Sequence, residues 1–456
     1  MVDSVVNVAN KPPPVRNYAS QSSSPASMGR GLAVPSATAP TSQPKADPVT
    51  PDEIEHLRAV YKSNTNDYNA GLKYAKRLVE ASDTLVANIP DARARSRARD
   101  RYLTDAHKVL KKCASGSFKD GMFFYADCLG RGLFGHEPDN KEAFALYQSA
   151  AKMGHAAAAY RTAVCCEIGH EDGGGTRKDP LKAIQWYKRS ATLGDTPAMY
   201  KMGMILLKGL LGQPRNPREA IGWLKRAADQ ADAENPHSLH ELGLLYESAA
   251  PNDVIIRDEG YAFSLFKQAA ELGYKFSQFR LGCAFEYGLM GCPIDPRQSI
   301  MWYSKAAIQQ EHQAELALSG WYLTGSDGVL QQSDTEAYLW ARKAAMAGLA
   351  KAEYAMGYFT EVGIGTAANM DDAKRWYWRA AGKFQALPPF TFLLRRGLGR
   401  GEDRAFLLMI EIAQDLTKAR ERLEDLKRSG KSGPRQRERI SRSKMQKQQE
   451  GECSVM

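Results

Sequence analysis

From about residue 121 to residue 384, small and large apolar positions return in one fixed order. The pattern is small, two large residues three on, two small residues, then glycine, as in Ala183–Gly194, AIQWYKRSATLG, and versions of it recur along the chain. Aligned on the first small residue, the copies begin at Ala143, Ala183, Ala220, Ala262, Ser299, Ala337 and Ala373. Spacings of three and four put these positions on one face of a helix. Self-similarity at a period of 36–42 residues predicts a stack of helical hairpins. The first helix of each hairpin carries its own small residue: Ala126, Ala163, Gly203, Gly243, Gly282, Ser319 or Gly357. Six residues further on comes the turn residue, Gly132, Gly169, Gly209, Ala249, Gly288, Gly325 or Gly363.

The polar positions between the two helices support the same division. Asp179-Pro180, Asn216-Pro217 and Asp295-Pro296 each set a side-chain acceptor before a proline, which suits the first turn of a helix. Ser333-Asp-Thr-Glu336 has the spacing of a capping box. The large pairs Trp186-Tyr187, Trp223-Leu224, Leu265-Phe266, Trp302-Tyr303 and Trp376-Tyr377 supply most of the area a hairpin can bury. Small pairs such as Ala227-Ala228 and Ala344-Ala345 allow close approach of backbones, and Gly154, Gly194, Gly273 and Gly348 stand where a left-handed helix cap is expected. The expected fold is all-α: a right-handed α-solenoid of about seven hairpins with atypical capping helices and disordered N- and C-terminal tails.

Outside the array the pattern changes. Residues 1–50 are rich in Pro, Ser and Ala and cannot bury enough apolar surface to fold, so they read as disordered. Helical spacing begins near Pro51 and continues through Tyr68, Leu72, Ala75 and Leu78, which assigns 51–120 to N-terminal capping helices and 121–384 to the array. Pro388-Pro389 ends the regular pattern. Residues 385–429 read as a C-terminal helical cap, with Ala405, Leu408, Ile412, Leu416 and Leu423 on one face, and 430–456 as a basic flexible tail.

Charge sharpens that last assignment. The chain carries a formal net charge of +10, and the stretch Lys427–Lys447 alone supplies most of it, with nine Lys or Arg against the single Glu438. An argument about anionic partners therefore belongs to the tail. The basic run 91–102, DARARSRARDRY, reads as a loop or a solvated helix face, and no nucleic-acid partner is expected. No apolar run approaches the ~20 residues of a membrane span, and the first residues lack the basic and apolar regions of a secretory signal. Seven cysteines without metal-ligand spacing fit reduced thiols.

Candidate chemistry is sparse. His237, His240 and Glu241 come nearest to a metal set, but His240 occupies the register held elsewhere by Phe123, Tyr160, Tyr200 and Tyr354, which makes it a packing residue. Glu167, Glu247, Glu286 and Glu361 recur four after the small residue of the first helix, and the recurrence points to a structural task such as accepting backbone N–H bonds in the adjoining turn. Gly173–Gly175 and the glycines from Gly397 to Gly401 follow no strand and read as loops. Cys165-Cys166 lies inside a helix and reads as buried. No catalytic group, cofactor or metal is expected.

The stretch Cys453-Ser-Val-Met456 is different in kind. A cysteine, an aliphatic residue two positions on and a final Met form a prenylation box, with Met favouring farnesyl. Cys453 is thus the candidate lipidation site, and farnesyltransferase a partner. One isoprenoid gives marginal membrane binding, which a polybasic stretch on an anionic leaflet strengthens.

The repeat A-x-x-W-Y-x-x-A-A-x-x-G after its G-x-x-x-x-x-G hairpin resembles the Sel-one-like repeat, a relative of the tetratricopeptide repeat, over about 121–384. GDTPAMYKMGMILLKGLLGQPRNPREAIGWLKRAA (194–228), NPHSLHELGLLYE (235–247), ELALSGWYLTG and SDTEAYLWARKAA (within 315–345) further resemble the fungal chitin synthase activator family. That resemblance implies a non-enzymatic regulatory subunit whose solenoid binds a membrane chitin synthase catalytic subunit in cell-wall biosynthesis. With the farnesyl box and the tail it implies a place on the cytoplasmic face of the plasma membrane, at septa or growth sites. Two alternatives remain: an adaptor of endoplasmic-reticulum quality control, whose relatives are expected to carry a signal peptide and a membrane span, and a hydrolase, which would need a nucleophile–base or metal grouping.

Overall fold

The computed structural model describes residues 48–135, 137–247, 254–385, 421–425 and 428. Among these residues the chain is all-helical apart from loops, and only an isolated bridge between Ser326 and Leu330 has β character. The residues form two compact units that divide between Ser238 and Leu239.

The first unit opens with α1 (Pro51–Ser63), α2 (Tyr68–Thr84) and α3 (Ala92–Ser115). Their common core holds Leu57, Leu72, Leu78, Val109, Leu110 and Cys113. The basic run 91–102 forms the start of α3, capped by the Asp91 carboxylate, and it is solvated almost throughout. Three hairpins follow: α4 (Lys119–Gly130) with α5 (Asn140–Lys152), α6 (Ala156–Ile168) with α7 (Pro180–Thr192), and α8 (Thr196–Lys208) with α9 (Pro217–Asp229).

The division falls within α10 (His237–Glu247), and the second unit continues with α11 (Glu259–Glu271). It adds three further hairpins: α12 (Lys275–Tyr287) with α13 (Pro296–Ile308), α14 (His312–Thr324) with α15 (Asp334–Met346), and α16 (Ala350–Val362) with α17 (Met370–Gln385). Residues 421–425 are also helical. In each unit, successive helices pack on one another in chain order.

Each hairpin is closed from both sides of its loop. The carboxylate of Asp179 accepts from the Lys182 N–H at 3.0 Å, while the N–H of Asp179 donates to the Cys166 carbonyl at 2.8 Å. Asn216 to Leu206, Asp295 to Phe285, Ser333 to Tyr322 and Asn369 to Thr360 repeat that second bond at 2.8–2.9 Å. The capping-box expectation at Ser333 is corrected by it. Ser333 Oγ does accept from the Glu336 N–H at 3.3 Å, but the donor that Glu336 would have answered already serves Tyr322.

At the far end of the second helices, Gly154, Gly194, Gly273 and Gly348 all have positive φ, between 82° and 94°. In the hairpin α12–α13 that place is taken by Gln310, at φ 59°.

Where the small residue of the first helix is glycine, it faces the second large residue of the partner helix. A Cβ added at Gly357 would lie 2.5 Å from the Tyr377 ring, and one at Gly282 would lie 2.4 Å from the Tyr303 ring. Close packing leaves no slack for such an atom. Tyr187, Tyr303, Tyr377 and Phe266 are accordingly among the largest fully buried side chains.

Candidate functional site

The recurring glutamates sit where those buried rings end. Tyr187 Oη donates to Glu167 at 2.5 Å, Tyr303 to Glu286 at 2.7 Å and Tyr377 to Glu361 at 2.9 Å. In some hairpins a cation from the first helix of the next hairpin meets the carboxylate at this place. Lys201 Nζ lies 2.9 Å from Glu167, and Arg280 Nε lies 3.2 Å from Glu247. In the first hairpin Asp127 does the same work, receiving Tyr147 at 3.4 Å and Arg161 at 3.0 Å. The expected bonds to backbone N–H groups of the turn are therefore replaced by side-chain bonds. A glutamate four past the small residue points back along its helix toward the ring of the partner helix, away from the loop.

The cations were not singled out in the sequence, although a signal exists. Arg161, Lys201 and Arg280 each stand two before the small residue of their helix. Asp127 and Glu167 thus tie the tyrosine of their own hairpin to the cation of the next, whereas the hairpin of Glu247 has Phe266 in place of the tyrosine and the hairpin after that of Glu286 has Ala317 in place of the cation; charge-assisted bonds of this kind are the stronger ones. Two hairpins have neither the acid nor the tyrosine. Leu207 and Leu224 fill the place in α8–α9, and Leu323 and Ala341 in α14–α15.

For the last described hairpin, α16–α17, the cation comes from farther along the chain. Arg422, in the helical residues 421–425, takes that part: its guanidinium binds both oxygens of Glu361, with Nε 3.2 Å from Oε2. Leu423 joins the cluster of Ala373 and Tyr377. The segment thus does for Glu361 what α6 does for Asp127 and α8 for Glu167.

The electrostatics are those of a packed interior. Burial, followed by the carboxylate beside each ring, raises the Tyr187 and Tyr377 hydroxyls well above the ordinary tyrosine range. Tyr125 is pushed up to about 12, chiefly by burial. The hydrogen bond to Glu361 leads the causes that raise Arg422. These shifts hold phenols neutral and guanidinium charged, the opposite of what an acid–base pair poised near neutral pH requires.

The other candidates fall into the same frame. His240 is buried, its Nδ1 is 2.8 Å from Ser277 Oγ, and its ring lies against Phe266 and Tyr274. His237 packs its ring on Tyr200. Among the described residues no three His, Cys, Asp or Glu side chains gather as a metal site. Cys166 is buried, and burial raises the Cys165 thiol to about 11, far from a reactive thiolate. The loop of Gly173–Gly175 packs on the start of α5, where a Cβ at Gly175 would meet the Asn140 carbonyl. Cys453, the basic tail and Gly397–Gly401 lie outside the described residues.

The tryptophans form a second regular feature. Trp186, Trp223, Trp302, Trp340 and Trp376 each carry the Arg or Lys of the next helical turn over the ring, at 3.8–5.5 Å from its centroid. A cation at that distance from an indole face is attracted to it. The rings are shared between neighbouring helices and lids of charge, so the Trp-Tyr pairs are packing elements.

A hairpin of this size, with this order of small and large residues, matches the model described as Sel1 repeat seven times, over 119–155, 156–195, 196–232, 236–274, 275–310, 312–349 and 350–382. The chain belongs to the Sel1 repeat family. Among curated relatives, Chitin synthase regulatory factor 3 of Schizosaccharomyces pombe is 38% identical over 73% of this chain and 34% of its own length. Chitin synthase regulator SKT5 of Malassezia restricta is 44% identical over 67% of this chain and 21% of its own. The Sel1 repeat chain thus spans about a third or less of these two relatives. Among solved structures, the protective antigen c5321 of Escherichia coli, which displays an SLR fold, covers 83% of the chain with TM-score 0.57 at 22% identity, over 75% of its own length. That likeness speaks for the helical repeat fold alone.

Proposed function

We propose that this Sel1 repeat protein is a non-catalytic regulator of a membrane chitin synthase in fungal cell-wall synthesis. One observation carries the reading: the array shares 38–44% identity, over two thirds or more of the chain, with proteins named as chitin synthase regulators. The architecture supports a scaffold, because the repeated carboxylates, tyrosines and tryptophans are consumed by packing within and between hairpins. The array offers its outer surfaces to the synthase. Farnesylation of Cys453 and the basic stretch Lys427–Lys447 hold it to the anionic cytoplasmic leaflet of the plasma membrane.

Two measurements test the two halves. Cys453→Ser in the full chain should move the protein from membrane to cytosol and lower cell-wall chitin, and an unchanged distribution would refute the anchor. Affinity purification of the wild-type chain from fungal membranes should bring down a chitin synthase catalytic subunit. Its absence, or recovery of an endoplasmic-reticulum degradation complex instead, would refute the regulatory assignment.

A further inference from the structure

Some outward positions are not needed for packing, and the repeat shows which. Nine residues after the small residue of the second helix come Lys152, Thr192, Asp229 and Glu271 in the first four hairpins, all exposed. In the next two hairpins the same exposed position holds Ile308 and Met346, at 79% and 62% exposure. Two residues after the small residue, the first four hairpins carry Ala145, Gln185, Gly222 and Ser264, whereas α15 carries Leu339, 43% exposed. Since hairpins fold with Lys, Thr, Asp or Glu at the first of these places, nothing in the repeat calls for Ile or Met there.

The three side chains line one groove. It has a volume of about 780 Å³ and lies among the end of α13, the start of α14 and the outer face of α15. Its wall is completed by Trp340, with Lys343 over the ring at 3.8 Å, and by Arg342. Glu315, deep in the groove, is paired with His312 at 2.9 Å. Neither Arg342 nor Lys343 has a carboxylate partner among the described residues, so the groove joins exposed apolar side chains to two cations that no acid meets, with the exposed Glu336 as its one unpaired acid. A concave apolar site with charge at one edge suits an amphipathic helix, with apolar side chains inserted at helical spacing.

We infer that the groove of Ile308, Leu339 and Met346 is a docking site for an amphipathic helix of the chitin synthase, with carboxylates on its flank to meet Arg342 and Lys343. This rests on the regulatory reading above. Charge complementarity selects the acidic flank. The concavity favours an inserted helix over a lipid surface, which would meet a convex face.

The test uses the full chain co-expressed with the synthase catalytic subunit. Ile308→Glu with Met346→Glu installs at both places the kind of residue that hairpins three and four already carry, so the fold should survive, as circular dichroism and melting will verify. The amount of co-purified synthase should fall about tenfold or more, as for loss of a central apolar anchor. A photo-crosslinking residue at 308 or 346 should join a synthase peptide containing apolar residues three or four apart and at least two acids. The same residue at 229 or 271 should not. If wild type fails to recover the synthase, the regulatory reading falls. If wild type and the double variant recover it equally, the docking site falls and the regulatory reading stands. Crosslinks to lipid, to a second copy of the chain, or to the chain's own residues 386–420 would likewise overturn the docking site.

Discussion

Arg422→Ala tests whether residues 421–425 complete the last hairpin. The Glu361 side chain is fully buried, and its two partners are the Tyr377 hydroxyl and the Arg422 guanidinium. Removing one member of a buried ion pair strands the other charge, at a cost of about 3–5 kcal/mol. Arg422 keeps 16% of its side chain in water, and solvent can follow it into the site. The expected cost is therefore at or below the bottom of that range, about 2–3 kcal/mol. An array opens locally from its ends, so a single global midpoint would blur the effect. Native-state hydrogen exchange of the α16 and α17 amides reads it directly, and the predicted acceleration is roughly 30- to 150-fold. The control is Glu361→Leu, Tyr377→Phe and Arg422→Leu together. It copies what other hairpins already do, with Leu207 and Leu323 in place of the acid and Phe266 in place of the tyrosine. That triple variant should lie within about 1 kcal/mol of wild type, since well-packed apolar groups can replace a buried ion pair without loss. Unchanged exchange in Arg422→Ala would show that the segment does not hold the hairpin. A triple variant as damaged as the single one would show that the charge cluster is not the reason.

Three further outcomes follow from the packing. Gly357→Val sets a branched side chain against the Tyr377 ring 2.5 Å away; it should destabilise the second unit by about 2 kcal/mol or more, and a rise in melting temperature would contradict the close approach. Gln310→Gly relieves a left-handed backbone at φ 59°; urea denaturation should show a gain of about 0.5–1 kcal/mol, and a loss would mean that the Gln310 side chain has a task of its own. Raised tyrosine pKa values favour the folded state while the phenols are neutral. Their contribution is complete below the ordinary value of about 10 and is lost as pH climbs through the folded values, about 12 for Tyr125 and raised well above the ordinary range for Tyr187 and Tyr377. Phenolate absorbance of these rings should therefore appear together with loss of helix above pH about 10. Full titration with the helix signal intact would refute their burial.

The hairpins were legible because packing is periodic. Ala183, Tyr187 and Ala191 lie on one stripe of α7, and any chain that buries such a stripe repeatedly writes its period into the order of residue sizes. Caps were legible for the same reason, since Asp179-Pro180 states both the acceptor and the first turn. Polar pairing was harder. Glu167 is bonded to Tyr187 in the following helix and to Lys201 one hairpin on, at sequence distances of 20 and 34 residues. A periodic glutamate announces a repeated task, but its bond direction depends on rotamer and helix crossing, which spacing does not carry. Arg422 was harder still. It answers Glu361 from 61 residues away, outside the regular pattern.

The same reasoning indicates where specificity resides. A position that must pack is constrained in every copy, as with the small residue of each first helix. It therefore says little about what any one copy does. A position exposed in every copy is free to vary, and there a departure from the common polarity carries information. Ile308 and Met346 depart where Lys152, Thr192, Asp229 and Glu271 do not, although all six are exposed. An exposed apolar side chain gives up the ~25 cal/mol per Å² it would gain on burial, and it adds to the apolar surface that promotes nonspecific association. Two such residues in register, beside a third at Leu339 and over one groove, amount to a surface that waits for a partner to cover it. In a fold that spends its aromatic and ionic groups on joining one hairpin to the next, recognition is left to the outer positions that the joining does not use.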